Sequence, residues 1–106
     1  MSSIIVWTEI ERMAKAARSK FDLPQCVIRP VTNPTARSYG WVEERDGRQV
    51  VYIRVHRLGQ ERVPLARITI LDTLAHELAH LKVPSHAPEW RKLYHEIKHF
   101  CLTWGR

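Results

Sequence analysis

The stretch Ile68 to His86, Ile-Thr-Ile-Leu-Asp-Thr-Leu-Ala-His-Glu-Leu-Ala-His-Leu-Lys-Val-Pro-Ser-His, constrains this chain more tightly than any other. Wound as a helix at about 100° per residue, Ile68, Leu71, Leu74, Ala75, Leu78 and Ala79 form a broad apolar arc, with Ile70 and Leu81 at its edges. Such a helix must be covered on most sides, so the rest of the chain has to pack around it. Thr69, Asp72, Thr73, His76, Glu77 and His80 fall together on the narrow side that is left. Polar groups gathered in a buried setting need partners, and a metal ion would provide one.

His76 and His80 are four residues apart, which sets both imidazoles on one helix face, one turn from each other and within reach of a single ion. Glu77 directly follows the first. Its carboxylate is rotated away from the ion yet reaches a water bound there, the position of a general base. Pro84 stops the helix, and His86 lies beyond the turn as a third candidate ligand. Three protein ligands with a fourth position left to water is the donor count of a catalytic zinc site, whereas structural zinc sites fill all four positions, often with Cys. Asp72, one turn before His76, suits either a carboxylate that orients a ligand imidazole or a plain surface charge. The plainer readings of the histidines are two satisfied core imidazoles at 76 and 80 and an exposed loop imidazole at 86.

His-Glu-x-x-His occurs twice, and the second copy, His95-Glu96-Ile97-Lys98-His99, serves as a control. In the helix expected there, Trp90, Leu93, Tyr94, Ile97 and Cys101 make one apolar stripe, while His95 and His99 point away from it toward solvent. The seven residues that follow contain no His, Asp or Glu. We read the second copy as a chance match.

HELAHLKVPSHAPEW, from His76 to Trp90, resembles the active-site segment of the SprT-like and YgjP-like zinc metallopeptidases. In that segment HExxH is followed after a short turn by a third His, then by a Pro or small residue, an acidic residue and an aromatic one. The likeness is strongest to YgjP-like proteins, through the run Leu81-Lys82-Val83-Pro84-Ser85-His86. It reaches upstream to Arg37-Ser38-Tyr39-Gly40-Trp41 and Val50 to Val55, which are similar to the hairpin preceding the active-site helix, and so covers about residues 35 to 100. The resemblance implies a zincin-like fold, Zn2+ held by His76, His80 and His86, and Glu77 as the catalytic acid/base of peptide-bond hydrolysis. Glu77 would take a proton from the activated water and pass it to the leaving amine. A protein or peptide substrate would lie extended along an exposed sheet edge, for which a hairpin strand is the candidate. Tyr39, Arg91 and Tyr94 are candidate donors to the developing oxyanion. Two departures stand out: SprT proteins often carry a Cys-rich zinc ribbon or DNA-binding tail after this core, which the sequence to Arg106 lacks, and the Gly of metzincins three residues after the second His is Val83.

Readings from other classes remain. The spacing of His76, His80 and His86 also resembles the YbeY-like zinc endoribonucleases, although their residue after the first His is usually Gly, and Glu77 favours peptide hydrolysis. A non-catalytic metal- or nucleic-acid-binding module is the third.

A length of 106 residues fits one domain, 1–106, with one modest core. Thr8-Glu9-Ile10-Glu11 fits a capping box, and Ile10, Met13, Ala14, Ala17 and Phe21 recur at helical spacing until Leu23-Pro24. Gln25 to Val31 reads as a strand, with Pro30 marking an edge or end, and Asn33-Pro34 breaks it. Ser38 to Glu43 and Gln49 to His56 flank Arg45-Asp46-Gly47-Arg48, a strong hairpin signal. Gly59 and Pro64 punctuate a loop, with Pro64 suited to the first turn of the ligand helix. His56, at a strand end, is expected to be structural or exposed. The expected fold is therefore α+β: an N-terminal helix, a small mainly antiparallel sheet with a hairpin, the active-site helix and a C-terminal helix.

The cysteines, Cys26 and Cys101, are isolated and read as reduced packing residues. The chain shows neither a membrane-length apolar run nor a signal peptide, so an intracellular, cytoplasmic protein is expected. Seventeen Lys and Arg against eleven acids give a net charge of +6, which favours contact with a polyanion such as DNA and with proteins associated with nucleic acid. The basic residues are scattered, though, and fit a solvated surface equally well. Trp7, Trp41, Trp90 and Trp104 read as core or cleft residues.

Overall fold

The computed structural model describes residues 5–31, 38–57 and 60–104. Helix α1 (Trp7–Lys20) is followed by strands β1 (Cys26–Pro30), β2 (Gly40–Arg45) and β3 (Arg48–Ile53), a short pair β4 (His56–Arg57) and β5 (Gln60–Pro64), and helices α2 (Arg67–Lys82) and α3 (Pro88–Leu102). The fold is α+β, as the sequence indicates. The larger sheet has the order β1-β3-β2, so β3 is central and both β1 and β2 are edges. β1 runs parallel to β3, whereas β2–β3 and β4–β5 are antiparallel. Pro30, which cannot donate to a ladder, closes the edge strand β1.

The hairpin β2–β3 turns on Asp46 and Gly47, both at positive φ (53° and 79°). That pair of conformations suits a two-residue hairpin turn whose twist matches the strands. The register sets Val42 opposite Val51 and Gly40 opposite Ile53. One sheet face thereby turns apolar side chains toward the helices.

α2 is the hub. It packs on β2 and β3 and against both other helices. Leu71, Leu74, Ala75, Leu78 and Ala79 are buried, together with Ile10, Met13, Ala14 and Ala17 of α1 and Trp90, Ile97 and Cys101 of α3. The helical stripes expected in α1 and α3 are the buried ones. Phe21 meets Phe100 edge-on at 5.8 Å, and the Lys82 ammonium donates to the Phe21 carbonyl, closing the ends of α1, α2 and α3 together. Cys26 and Cys101 are free thiols, and burial pushes the Cys101 thiol up to about 12.

Several local expectations are corrected. Helix α1 starts at Trp7 with Val6 as its N-cap, and no side chain caps it. Thr8 is already inside, because Trp7 packs against the core and draws the first turn one residue back. Pro64 ends β5 instead of starting α2, where Ala66 is the N-cap. β3 stops at Ile53 rather than reaching His56, which opens the β4–β5 pair that the loop reading did not foresee. The second strand of the larger sheet spans 40–45, two residues later than expected at each end. In α2, Ile68 is 60% exposed and Ile70 is 1% exposed, so the apolar arc is turned toward Ile70. Asn33-Pro34 and Gly59 lie outside the described residues.

Ile97 sits fully buried where α3 meets α2, so Ile97→Ala leaves a cavity at the contact that holds the hub. Its expected cost is about 2–5 kcal/mol of unfolding free energy, read by chemical denaturation with an unchanged slope.

Candidate metal centre and catalytic cleft

The helix carrying the first two imidazoles ends where chemistry says it must. Pro84 forbids a helical Val83, whose backbone is extended (φ −127°, ψ 97°), and α2 stops at Lys82. The Val83 carbonyl is thereby free to accept a hydrogen bond from His80 Nδ1 at 3.1 Å. With its proton on Nδ1, His80 presents a bare lone pair on Nε2. The turn Val83 to Ala87 then leads into α3, whose first residue is Pro88.

His86 is brought back to the other two. His80 Nε2 lies 3.2 Å from His76 Nε2 and 3.0 Å from His86 Nε2, and these three side chains form the one group of potential metal donors among the described residues. Nitrogens bound to one tetrahedral zinc at about 2.0–2.1 Å stand roughly 3.3 Å apart; both His80 separations are close to that, and with all three donors within 4.8 Å of one another a small closing of the set would let it hold one ion. One lone pair facing two other ring nitrogens is poorly satisfied by hydrogen bonds alone and well satisfied by a cation. Burial, and then the neighbouring His80 and His86, lower the His76 pKa, which favours the neutral form that ligates metals.

Trp90 is the floor of this cluster, a role that no short motif signals. Its ring centroid lies 4.7, 5.0 and 4.6 Å from those of His76, His80 and His86, and it stacks on Tyr94 at 5.0 Å. The indole is nearly buried and fixes the direction of all three imidazoles by packing. Tyr94 in turn donates its hydroxyl proton to Asp72, which also pairs with Lys98 at 3.1 Å. Asp72 thus links α2 to α3 through Tyr94 and Lys98, rather than serving as a simple surface charge.

A cleft of about 550 Å³ opens beside the imidazoles, lined by Gly40, Trp41, Val42 and Gln49 of the sheet and by Glu77, Leu81 and Pro84 with the three histidines. Glu77 is only 7% exposed yet belongs to this cleft wall. Burial pushes its carboxyl up to about 7. The close approach of β2 to α2 at this point depends on Gly40. A Cβ there would stand 2.7 Å from Thr73 Cγ2, 2.8 Å from the Tyr52 carbonyl and 3.2 Å from Glu77 Cγ. Thr73 accommodates the strand by turning its hydroxyl back to the Thr69 carbonyl at 3.0 Å. The sequence carried a hint of Gly40 in the Tyr-Gly-Trp run and of Trp90 as the aromatic residue that ends the His76 to Trp90 resemblance, but none of Gln49.

Other candidates fall elsewhere. His95 and His99 are exposed and line a separate hollow with Lys20, Phe21 and Phe100. His56 is exposed on β4. Of the expected oxyanion donors, Tyr94 has its hydroxyl on Asp72, Arg91 lines a hollow beside His86, and Tyr39 is exposed; none lines the Glu77 cleft. No described helix is long and apolar enough to cross a membrane. Compared with protein-family models, curated proteins and solved structures, the chain matches none.

The raised Glu77 carboxyl has a measurable signature in metal-free protein. In the folded chain it holds its proton up to about pH 7, against an ordinary value of 4.5, so this group's contribution to stability falls as pH rises through that window. The stability of Glu77→Gln relative to the unsubstituted chain should therefore grow between pH 4.5 and pH 7, by at most about 3 kcal/mol, in denaturation at matched pH with chelator present. A pH-independent difference would count against a desolvated acid.

Proposed function

We propose that this protein is a zinc-dependent metallopeptidase. The observation that carries the reading is the convergence of three imidazole ε-nitrogens on one wall of a cleft that also contains a buried carboxylate one residue from the first of them. A zinc ion held by His76, His80 and His86 would supply Lewis acidity to the attacking water and to the substrate carbonyl. Glu77 does the proton work. Its carboxyl, ionised beside such a cation, would accept the proton of the attacking water and return it to the leaving amine.

β2 supports the choice of a polypeptide substrate. It is an edge strand, and Gly40, Trp41 and Val42 line the cleft at Glu77. An extended peptide paired with that edge passes directly over the reacting groups, its backbone held by ladder hydrogen bonds and its side chains by alternate pockets. Trp41 stacks on Tyr52 at 4.8 Å and gives one wall rigidity. The resemblance to SprT-like and YgjP-like peptidases points the same way, and Glu77 stands where a YbeY-like nuclease usually has Gly.

In zinc-loaded protein, Glu77→Gln should retain about one zinc per chain and lose at least roughly 100-fold in cleavage of an unfolded protein. Metal content and a gel-based digestion read both. Chelation should abolish cleavage and added zinc restore it, whereas RNA cut by a preparation inert toward protein would redirect the reading to a nuclease. Gly40→Ala should bind zinc normally but slow cleavage roughly tenfold or more, because the added methyl displaces Thr73 and Glu77 from the strand. Unchanged turnover in Gly40→Ala would remove β2 from the site.

A further inference from the structure

His86 is shared by two hollows. Beside the catalytic cleft lies a second one of about 450 Å³, lined by His86, Pro88, Arg91, Lys92 and His95. The last four recur at i, i+3, i+4 and i+7 along α3, which makes them one stripe of that helix. No carboxylate lines the hollow, since Glu96 borders the neighbouring one with Lys20. Arg45, Arg67 and Lys98 each pair with an acid, whereas Arg91 and Lys92 are exposed and have no ion-pair partner among the described residues.

We propose that this hollow is a subsite for a substrate carboxylate, so that the protein selects peptides carrying an acidic group beside the cleaved bond. The proposal rests on the peptidase reading above. Arg91 offers a planar fork that matches a carboxylate in two hydrogen bonds, and Lys92 adds a second positive charge from the adjacent position. Only the His86 ring separates this charge pair from the cleft, so a peptide leaving β2 across the three imidazoles enters the hollow within a few residues. Further along α3 the other lysine, Lys98, is already held by Asp72, which leaves the charge at Arg91 and Lys92 as the part of this helix open to an incoming anion.

Three peptides of one sequence test this on the zinc-loaded full chain: neutral with an amidated C-terminus, the same with a Glu beside the cleaved bond, and the neutral one with a free C-terminal carboxylate. One or both carboxylate peptides should exceed the neutral one by roughly 3- to 10-fold in kcat/KM at low salt, the range of partly exposed ion pairs, and the ratio should shrink as salt is added. The pair identifies whether a side-chain or terminal carboxylate is read. In the double variant Arg91→Ala/Lys92→Ala the ratio should fall toward one. Arg12→Ala/Lys15→Ala, which removes the same charge from exposed positions of α1, should keep it. Equal rates on all three peptides, or an equal loss of preference in the α1 variant, overturn the subsite while leaving the peptidase standing. If no peptide is cut, fluorescence anisotropy of the same labelled peptides on Glu77→Gln decides: tighter binding of a carboxylate peptide that depends on Arg91 and Lys92 upholds the subsite and sinks only the hydrolysis, and charge-blind binding sinks the subsite.

Discussion

The structure depends on covering a helix that is apolar around most of its circumference. α2 is surrounded by the sheet, α1 and α3, and apart from Glu77 the residues it buries are Leu, Ile and Ala with no polar demands of their own. The narrow strip that is left carries His76, Glu77 and His80 along one side of the cleft. The fold and the site are therefore one solution: the packing that buries Leu74 and Leu78 fixes the rotation that turns His76, Glu77 and His80 to the cleft.

Three features convert that rotation into geometry. Pro84 stops α2 two residues after His80 and frees the carbonyl that sets the His80 tautomer. Trp90 supplies a flat, nearly buried surface against which three rings from two segments come to rest. Gly40 lets the edge strand approach until its backbone and Glu77 share one wall. Each acts by exclusion: a proline that forbids helix, an indole that forbids other rotamers, and an absent methyl that permits contact. The Tyr94–Asp72–Lys98 link then ties α3 to α2 one turn before His76.

Much of this was legible in the sequence because periodicity and spacing are local. The α2 stripe, the Asp46-Gly47 turn, the stop at Pro84 and the grouping of His76, His80 and Glu77 all follow from neighbours within about a turn. The rejection of His95 and His99 as part of the three-histidine cluster follows too, since the stripe through Trp90, Ile97 and Cys101 left them outside. What was not legible depends on long-range contact. The exposure of Ile68, the end of β3 at Ile53 ahead of the β4–β5 pair, and a helix that starts at Trp7, which packs against the core, are such cases. Gly40 matters chiefly through Thr73 and Glu77, on a helix that comes only after β3, β4 and β5, which no short pattern encodes.

A bound cation, as proposed, would change the electrostatics of the cluster. Burial alone pushes the Glu77 carboxyl up to about 7, and the three imidazoles converge with lone pairs that hydrogen bonds among themselves satisfy poorly. A single divalent cation would answer both at once, drawing Glu77 toward its ionised form while satisfying the nitrogens. Binding energy spent that way is folding energy, so the segment from α2 through the turn at Pro84 to His86 should be the part of the chain whose order is most tightly linked to metal.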